Sequence, residues 1–275
     1  MTAATIYLYC ISLAVVSKFI LEHRFGAARY CSTGSFTEFL NIRYFHEGFS
    51  LRVHPGFYRI SYCIKWVGAL LLPMGGFASL IGGLLCAYWF FRVEIQYDYK
   101  HHTIFIGLNC VLVSFIAPSG LLLEGALDQG SVLWTKCAAL LLISQIYWSS
   151  AYIKILSPMF TSGQVLHSLY FYLWDEQYRL RIRETRIPSF LTKPDLGSLN
   201  QRRFFKCISV TAIFLELLVP VLLIIPAPSA WMAAFLLGVA MHLGFQIILP
   251  TRLIPFFLAS MSLYLICPSS PLWVS

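Results

Sequence analysis

A tyrosine, a serine and a lysine share one helical face in the stretch SQIYWSSAYIKILSPMFTSG, residues 144–163. Ser150 lies four residues before Lys154 and Tyr147 seven before it, so a period of 3.6 stacks all three. Lys154 closes an otherwise apolar segment, and Ser157-Pro158 follows it. A residue before proline avoids the helical region, so the helix is predicted to stop there. An amine so placed has two uses. It can snorkel to lipid headgroups. It can also act as a base, because a lysine becomes one only when desolvation loosens its hold on the proton. Spacing alone leaves both readings open.

Other ionisable groups also fall in apolar runs. Glu216 sits near the centre of the apolar residues 207–225, in FLELLVPVLL, and Lys65 lies inside the apolar residues 57–74. His242 sits near the centre of GVAMHLGFQIIL, with Gln246 one turn later on its face. His101 and His102 open a further apolar segment. A charge at mid-bilayer costs about 2.5–3.5 kcal/mol on insertion scales, so each such group needs a partner or a role. Lys65 and Glu216 are each candidates for an ion pair that sets helix register. Glu216 and His242 are predicted to face the interior, since lipid would leave them unpaired. The partner expected for Glu216 is Lys154, Lys65 or another polar group. His242 can instead bond a backbone carbonyl, and His101 and His102 read most simply as interfacial. Gly107, Gly163 and Gly244 suit close helix approach. No metal is expected, because the histidines and cysteines do not repeat a ligand spacing.

The elements that must position these groups follow from composition. Of 275 residues, 58% are hydrophobic and 12% charged, and the mean hydropathy is +0.72. A soluble domain has about 25% charged residues, so the bilayer is the expected solvent and partner. Apolar runs near the length that spans ~30 Å recur along the chain. The predicted fold class is an all-α polytopic bundle of eight spans in a single domain, residues 1–275. The spans are read at 3–21, 57–74, 77–93, 103–119, 131–154, 207–225, 231–249 and 252–268. No basic region precedes residues 3–21 and no cleavage site follows, so this run is expected to remain as the first span. Residues 155–206 hold an expected interfacial amphipathic helix in SGQVLHSLYFYLW and then a polar surface loop. Among the eight cysteines only Cys31 lies outside the apolar segments, and no CxxC occurs. They read as small packed hydrophobes, not as a disulfide framework.

The net charge is +8, and loop lysines and arginines are confined to alternate connections. The positive-inside rule then places both termini on the non-cytoplasmic side of the cell membrane. Topology and anionic headgroups account for this charge, and nucleic acid is not needed.

Together the motifs resemble the membrane domain of the vitamin K-dependent gamma-carboxylase and the related HTTM (horizontally transferred transmembrane) domain family. In that family a helix carrying Gln and Tyr leads to a lysine, with a Trp-x-x-Gly beyond it. Here Lys154 precedes Gly163 by nine residues, with Phe160 in the tryptophan's place. KHHTIFIGLNCVLVSF resembles the family's histidine helix, with Gly107 five after His102. LELLVPVLLIIPAPSAWMAAFLLGVAMHLGFQIILP and the later SPLW resemble its acidic helix, second histidine helix and final span. The match covers roughly residues 40–273, and among bacterial members it is most similar to short proteins of the sporulation-delaying-protein B type.

The resemblance implies modification or maturation of a small secreted peptide toxin, using a vitamin K or menaquinone hydroquinone. Lys154 would be the base, His102 would support the quinone oxygen, and His242 would sit beside the reacting centre. Tyr147, Phe160, Gly163 and Gln246 would line the cofactor. A peptide substrate and a soluble accessory subunit are the implied partners. A second reading is a non-catalytic membrane partner that binds or chaperones a toxin precursor, and a third is a transporter. The chain departs from the carboxylase in having Lys154-Ile155 where two lysines stand, and in lacking the large propeptide-holding domain. Glutamate carboxylation is therefore not expected. The loop charges also place the Lys154 end inside, whereas the carboxylase turns that end to the lumen.

Overall fold

The computed structural model describes residues 3–25, 55–94, 100–116, 129–178, 193–248, 254–268 and 270. Side chains are described throughout these except at 22–25, 55–58, 100, 101, 129–131, 176–178 and 245–248. The described chain is entirely helical apart from turns. In order, the helices are α1 (Ala3–Phe25), α2 (Pro55–Leu71), α3 (Gly76–Arg92), α4 (Lys100–Ile116) and α5 (Gln129–Ile155). There follow α6 (Pro158–Thr161), α7 (Gln164–Tyr178), α8 (Leu199–Ile224), α9 (Pro228–Ile248) and α10 (Ile254–Leu263). Among the described residues, α1, α5 and α8 are long and apolar enough to cross a membrane, and α3, α4, α9 and α10 are shorter apolar helices. Residues 26–54, 95–99, 117–128, 179–192 and 249–253, which hold much of the loop sequence on which the orientation rests, and both ends of the chain lie outside the described residues.

Two compact units divide the chain between Ala138 and Ala139, with α10 counted in the first. In that first unit α3 packs on both α2 and α4, and α1 runs along α10. Small residues permit the close approach. A β-carbon on Gly83 would stand 2.5 Å from the Cys110 carbonyl oxygen, so α3 and α4 touch backbone to backbone there. The PMGG turn between α2 and α3 uses Gly75 and Gly76 at φ +82° and +53°. Ser79 Oγ closes it, donating to the Leu72 carbonyl at 2.5 Å and accepting from Gly75 N–H at 2.7 Å. Tyr7 Oη donates to Asn109 Oδ1 at 2.8 Å and ties α1 to α4. The described cysteines of both units are free thiols.

In the second unit α5 ends at Ile155, and Ser157 begins α6 by accepting from Phe160 N–H at 3.3 Å. Gly163 then turns the chain at φ +78°, a conformation that costs a residue with a β-carbon about 1–3 kcal/mol. The same glycine lies against α8, where an added β-carbon would sit 2.3 Å from Lys206 N. The segment expected to be amphipathic forms α7, and it packs on the start of α8. The His167 ring stacks on Phe205 at 5.2 Å, and Tyr170 packs on the same ring at 5.4 Å. Ala151, Phe160, Leu166, Tyr170, Leu173, Phe205 and Ile213 form one buried cluster.

One expected boundary moves. Helix α8 begins at Leu199 rather than 207, so part of the expected loop is helical. Ser198 caps it, accepting from Gln201 N–H at 3.3 Å. Arg202, Arg203 and Lys206 are exposed there, and arginine and lysine are good helix formers whatever their hydropathy.

Gly163→Ala is predicted to lower the unfolding midpoint in detergent strongly, through both strain and contact with α8. Gly197→Ala is the control, since its β-carbon would meet nothing nearer than Asp195 Oδ1 at 3.3 Å. Equal midpoints for the two variants would refute the tight turn.

Candidate functional site

The second unit gathers its polar groups along one face of α5. Helix α5 reaches α8 and α9 through side chains at Tyr147, Ser150 and Lys154. Their spacing puts them in a row, so each meets a different depth of the neighbouring helices.

At the deep end, Tyr147 Oη lies 2.9 Å from His242 Nε2 on α9. Both residues are buried, at 3% and 6% exposure. One turn on, Ser150 Oγ donates to Glu216 Oε1 at 3.1 Å. Lys154 Nζ donates to the same oxygen and forms an ion pair with it. Glu216 is 4% exposed at its side chain and Lys154 is 19% exposed. The ammonium also lies 5.3 Å from the Phe160 ring centroid, within cation–π range. As a cation in the last turn of α5, Lys154 further suits the negative end of that helix. Lys154 thus turns inward to a buried carboxylate, and Phe160 and Gly163 shape the turn beside it.

Two features of Glu216 stand out. Its Oε2 is buried and, among the described residues, has no hydrogen-bond partner. Four residues on, Pro220 lies within the same helix. Proline has no N–H, so the usual helical bond to the Glu216 carbonyl is missing. Pro220 therefore loosens the helical ladder on the turn that carries the carboxylate. Trp148 Nε1 adds a bond to the neighbouring Leu217 carbonyl at 3.3 Å.

The other residues singled out from sequence lie elsewhere. His102 belongs to the first unit, with its ring 4.3 Å from that of Phe256. Lys65, also in the first unit, is fully buried. Its ammonium lies 4.3 Å from the ring centroids of Tyr62 and Trp89 and 4.7 Å from that of Phe19. Trp66 completes the wall at 5.8 Å. Nearby Lys18 pairs with Glu94 at 2.9 Å, and Trp89 Nε1 donates to Glu94 at 3.0 Å. Sequence reading missed this cluster. Its local trace is the Tyr62, Lys65, Trp66 spacing on one helix, but Phe19, Trp89 and Glu94 come from distant segments. The Gln246 side chain lies outside the described residues, and Gly107 and Gly244 are helical. Gly107 lies close to Phe90 and Phe91, whereas a β-carbon on Gly244 would meet nothing within 4 Å. Among the described residues no group of three or more His, Cys, Asp or Glu side chains is placed to hold a metal.

No family model, curated protein or solved structure matches the chain.

Removing one member of a buried ion pair costs about 3–5 kcal/mol. Lys154→Ala is expected near the lower end, about 3 kcal/mol, because Lys154 keeps 19% exposure. The double variant Lys154→Met/Glu216→Leu should recover most of that loss, as measured by denaturant unfolding in micelles. Additive losses would show that the two charges do not support each other.

Proposed function

We propose that the chain is a multi-pass membrane protein of eight spans, with both termini non-cytoplasmic, that carries out acid–base chemistry within the bilayer. The reaction belongs to the modification or maturation of a small secreted peptide. The observation that supports this most is the Lys154–Glu216 pair, set in an apolar helical unit with one carboxylate oxygen left over. Ionisable groups in such surroundings are expensive and are kept where they serve a path or a reaction. A buried ammonium–carboxylate pair can exchange a proton without net charge entering the low-dielectric interior, which suits proton transfer to and from an apolar substrate.

The residues present fit a lipid-soluble hydroquinone. Glu216 Oε2 is an acceptor awaiting a hydroxyl donor, and Phe160 is an apolar wall beside the ammonium. Such a group, when bound, supplies a strong base upon oxidation. Lys154 and Glu216 would hold its hydroxyl, Ser150 would keep Glu216 Oε1 in place, and Tyr147 would orient His242. The similarity to the gamma-carboxylase membrane domain supports the same reading through sequence motifs alone.

Organic extraction of the purified protein is predicted to release a naphthoquinone in roughly stoichiometric amount. Secreted peptides from cells expressing the chain should include one whose mass differs from that in cells expressing Lys154→Ala. A peptide that co-purifies with unchanged mass, and no quinone in the extract, would replace this reading with that of a non-catalytic binding partner.

A further inference from the structure

We propose that Glu216, through Oε2, is the group that takes the substrate's proton, and that Lys154 serves as the fixed positive charge. This rests on the acid–base reading above and assigns roles within its centre.

The geometry divides the labour. Glu216 Oε1 already accepts two hydrogen bonds, from Ser150 Oγ and Lys154 Nζ. Both donors therefore fix the carboxylate by one oxygen and leave the other free. Oε2 is buried and without a partner among the described residues, and an unpaired buried acceptor costs about 1–3 kcal/mol, more for a charged group. That cost is recovered when a donor arrives. A donor on an apolar body suits the place: Ile213, Val219 and Leu223, at three, three and seven residues from Glu216 on α8, are buried with it, and Phe160 lies beside the ammonium. Lys154 keeps 19% exposure, so the cationic end of the pair reaches the surface. A hydroxyl on a lipid-soluble ring matches this set: its proton faces Oε2 and its oxygen lies next to a cation.

The step balances without a co-reactant. The ligand O–H bond breaks, the proton goes to Oε2, and the electron pair stays on the ligand oxygen. Lys154 remains an ammonium and faces the charge that forms. An ammonium has no lone pair with which to take a proton, whereas the carboxylate keeps lone pairs at Oε2. Ser150 is a positioning residue, since it acts on the substrate only through Glu216.

The test uses the full chain in nanodiscs with menadiol, a soluble naphthohydroquinone, under argon. Infrared difference spectra should show a protonated-carboxyl band on menadiol addition. The band should vanish in Glu216→Gln and return at a shifted frequency in Glu216→Asp. Menadiol affinity, read by tryptophan quenching, should fall about 10- to 100-fold in Glu216→Gln, the loss of one hydrogen bond to a charged group. Lys154→Arg keeps the charge but cannot act as a base, and should keep the band with affinity lowered by no more than about tenfold. Lys154→Ala should lose both. Peptide modification should drop by at least about 100-fold in Glu216→Gln, the usual size of a general-base contribution. A band that persists in Glu216→Gln, or a Lys154→Arg protein as dead as Lys154→Ala, would overturn the assignment and make the lysine the base. A band that follows this pattern while no secreted peptide changes mass would uphold Glu216 as the acceptor and remove the peptide reading instead.

Discussion

One buried ion pair sets the terms for the second unit. An ammonium and a carboxylate in a hydrocarbon setting are tolerable only together, because each alone would face a desolvation cost of several kcal/mol. The pair therefore dictates where α5 must end. Lys154 stands in the last turn, and the helix stops one residue later at Ile155. A longer α5 would leave no room for the chain to fold back over the ammonium. Ser157 and Pro158 enforce the stop, α6 brings Phe160 to the charge, and Gly163 sends the chain into α7 while lying flush on α8. The turn that shapes the site is thus the same turn that docks α7 onto the helix carrying Glu216.

The first unit solves the same problem differently. Lys65 is wrapped by Phe19, Tyr62, Trp66 and Trp89, whose ring faces carry negative charge density. Lys18 meets Glu94, which Trp89 also bonds. Trp89 therefore serves twice, with its face toward one lysine and its N–H toward the carboxylate that holds the other. Such a cluster joins α1, α2 and α3 at one point. It suits a structural clamp, since its carboxylate and both ammonium groups lie among side chains of the same unit and are almost fully buried.

Much of this was legible in the residues. The 3.6-residue stacking of Tyr147, Ser150 and Lys154 marked the face of α5, and the Ser-Pro step marked its end. Hydropathy located most of the helices, and three of them, α1, α5 and α8, are long and apolar enough to cross a membrane. It failed at the start of α8, where Gln201, Arg202, Arg203 and Lys206 are polar and yet helical. Hydropathy reports the solvent of a segment, whereas helicity there follows from propensity and the Ser198 cap. The aromatic wall around Lys65 was illegible for another reason: its members lie up to 70 residues apart, from Phe19 to Trp89, and no local spacing records their meeting.

Pro220 is the residue whose meaning only the pairing reveals. In sequence it reads as a tolerated proline in an apolar helix. Set four residues after a buried carboxylate, it strips the helix's own donor from the Glu216 carbonyl on the turn where Oε2 also lacks one. A structural ion pair would gain from the opposite choice, a residue that closes the helical bond and leaves nothing unsatisfied. An open carboxylate oxygen beside a cation costs stability that Lys154 and Ser150 recover only at Oε1. That imbalance sits at the only described place in the unit where an ion pair, a helix end and a positive-φ turn converge. Structure alone does not require it, and a hydroxyl-bearing ligand would resolve it.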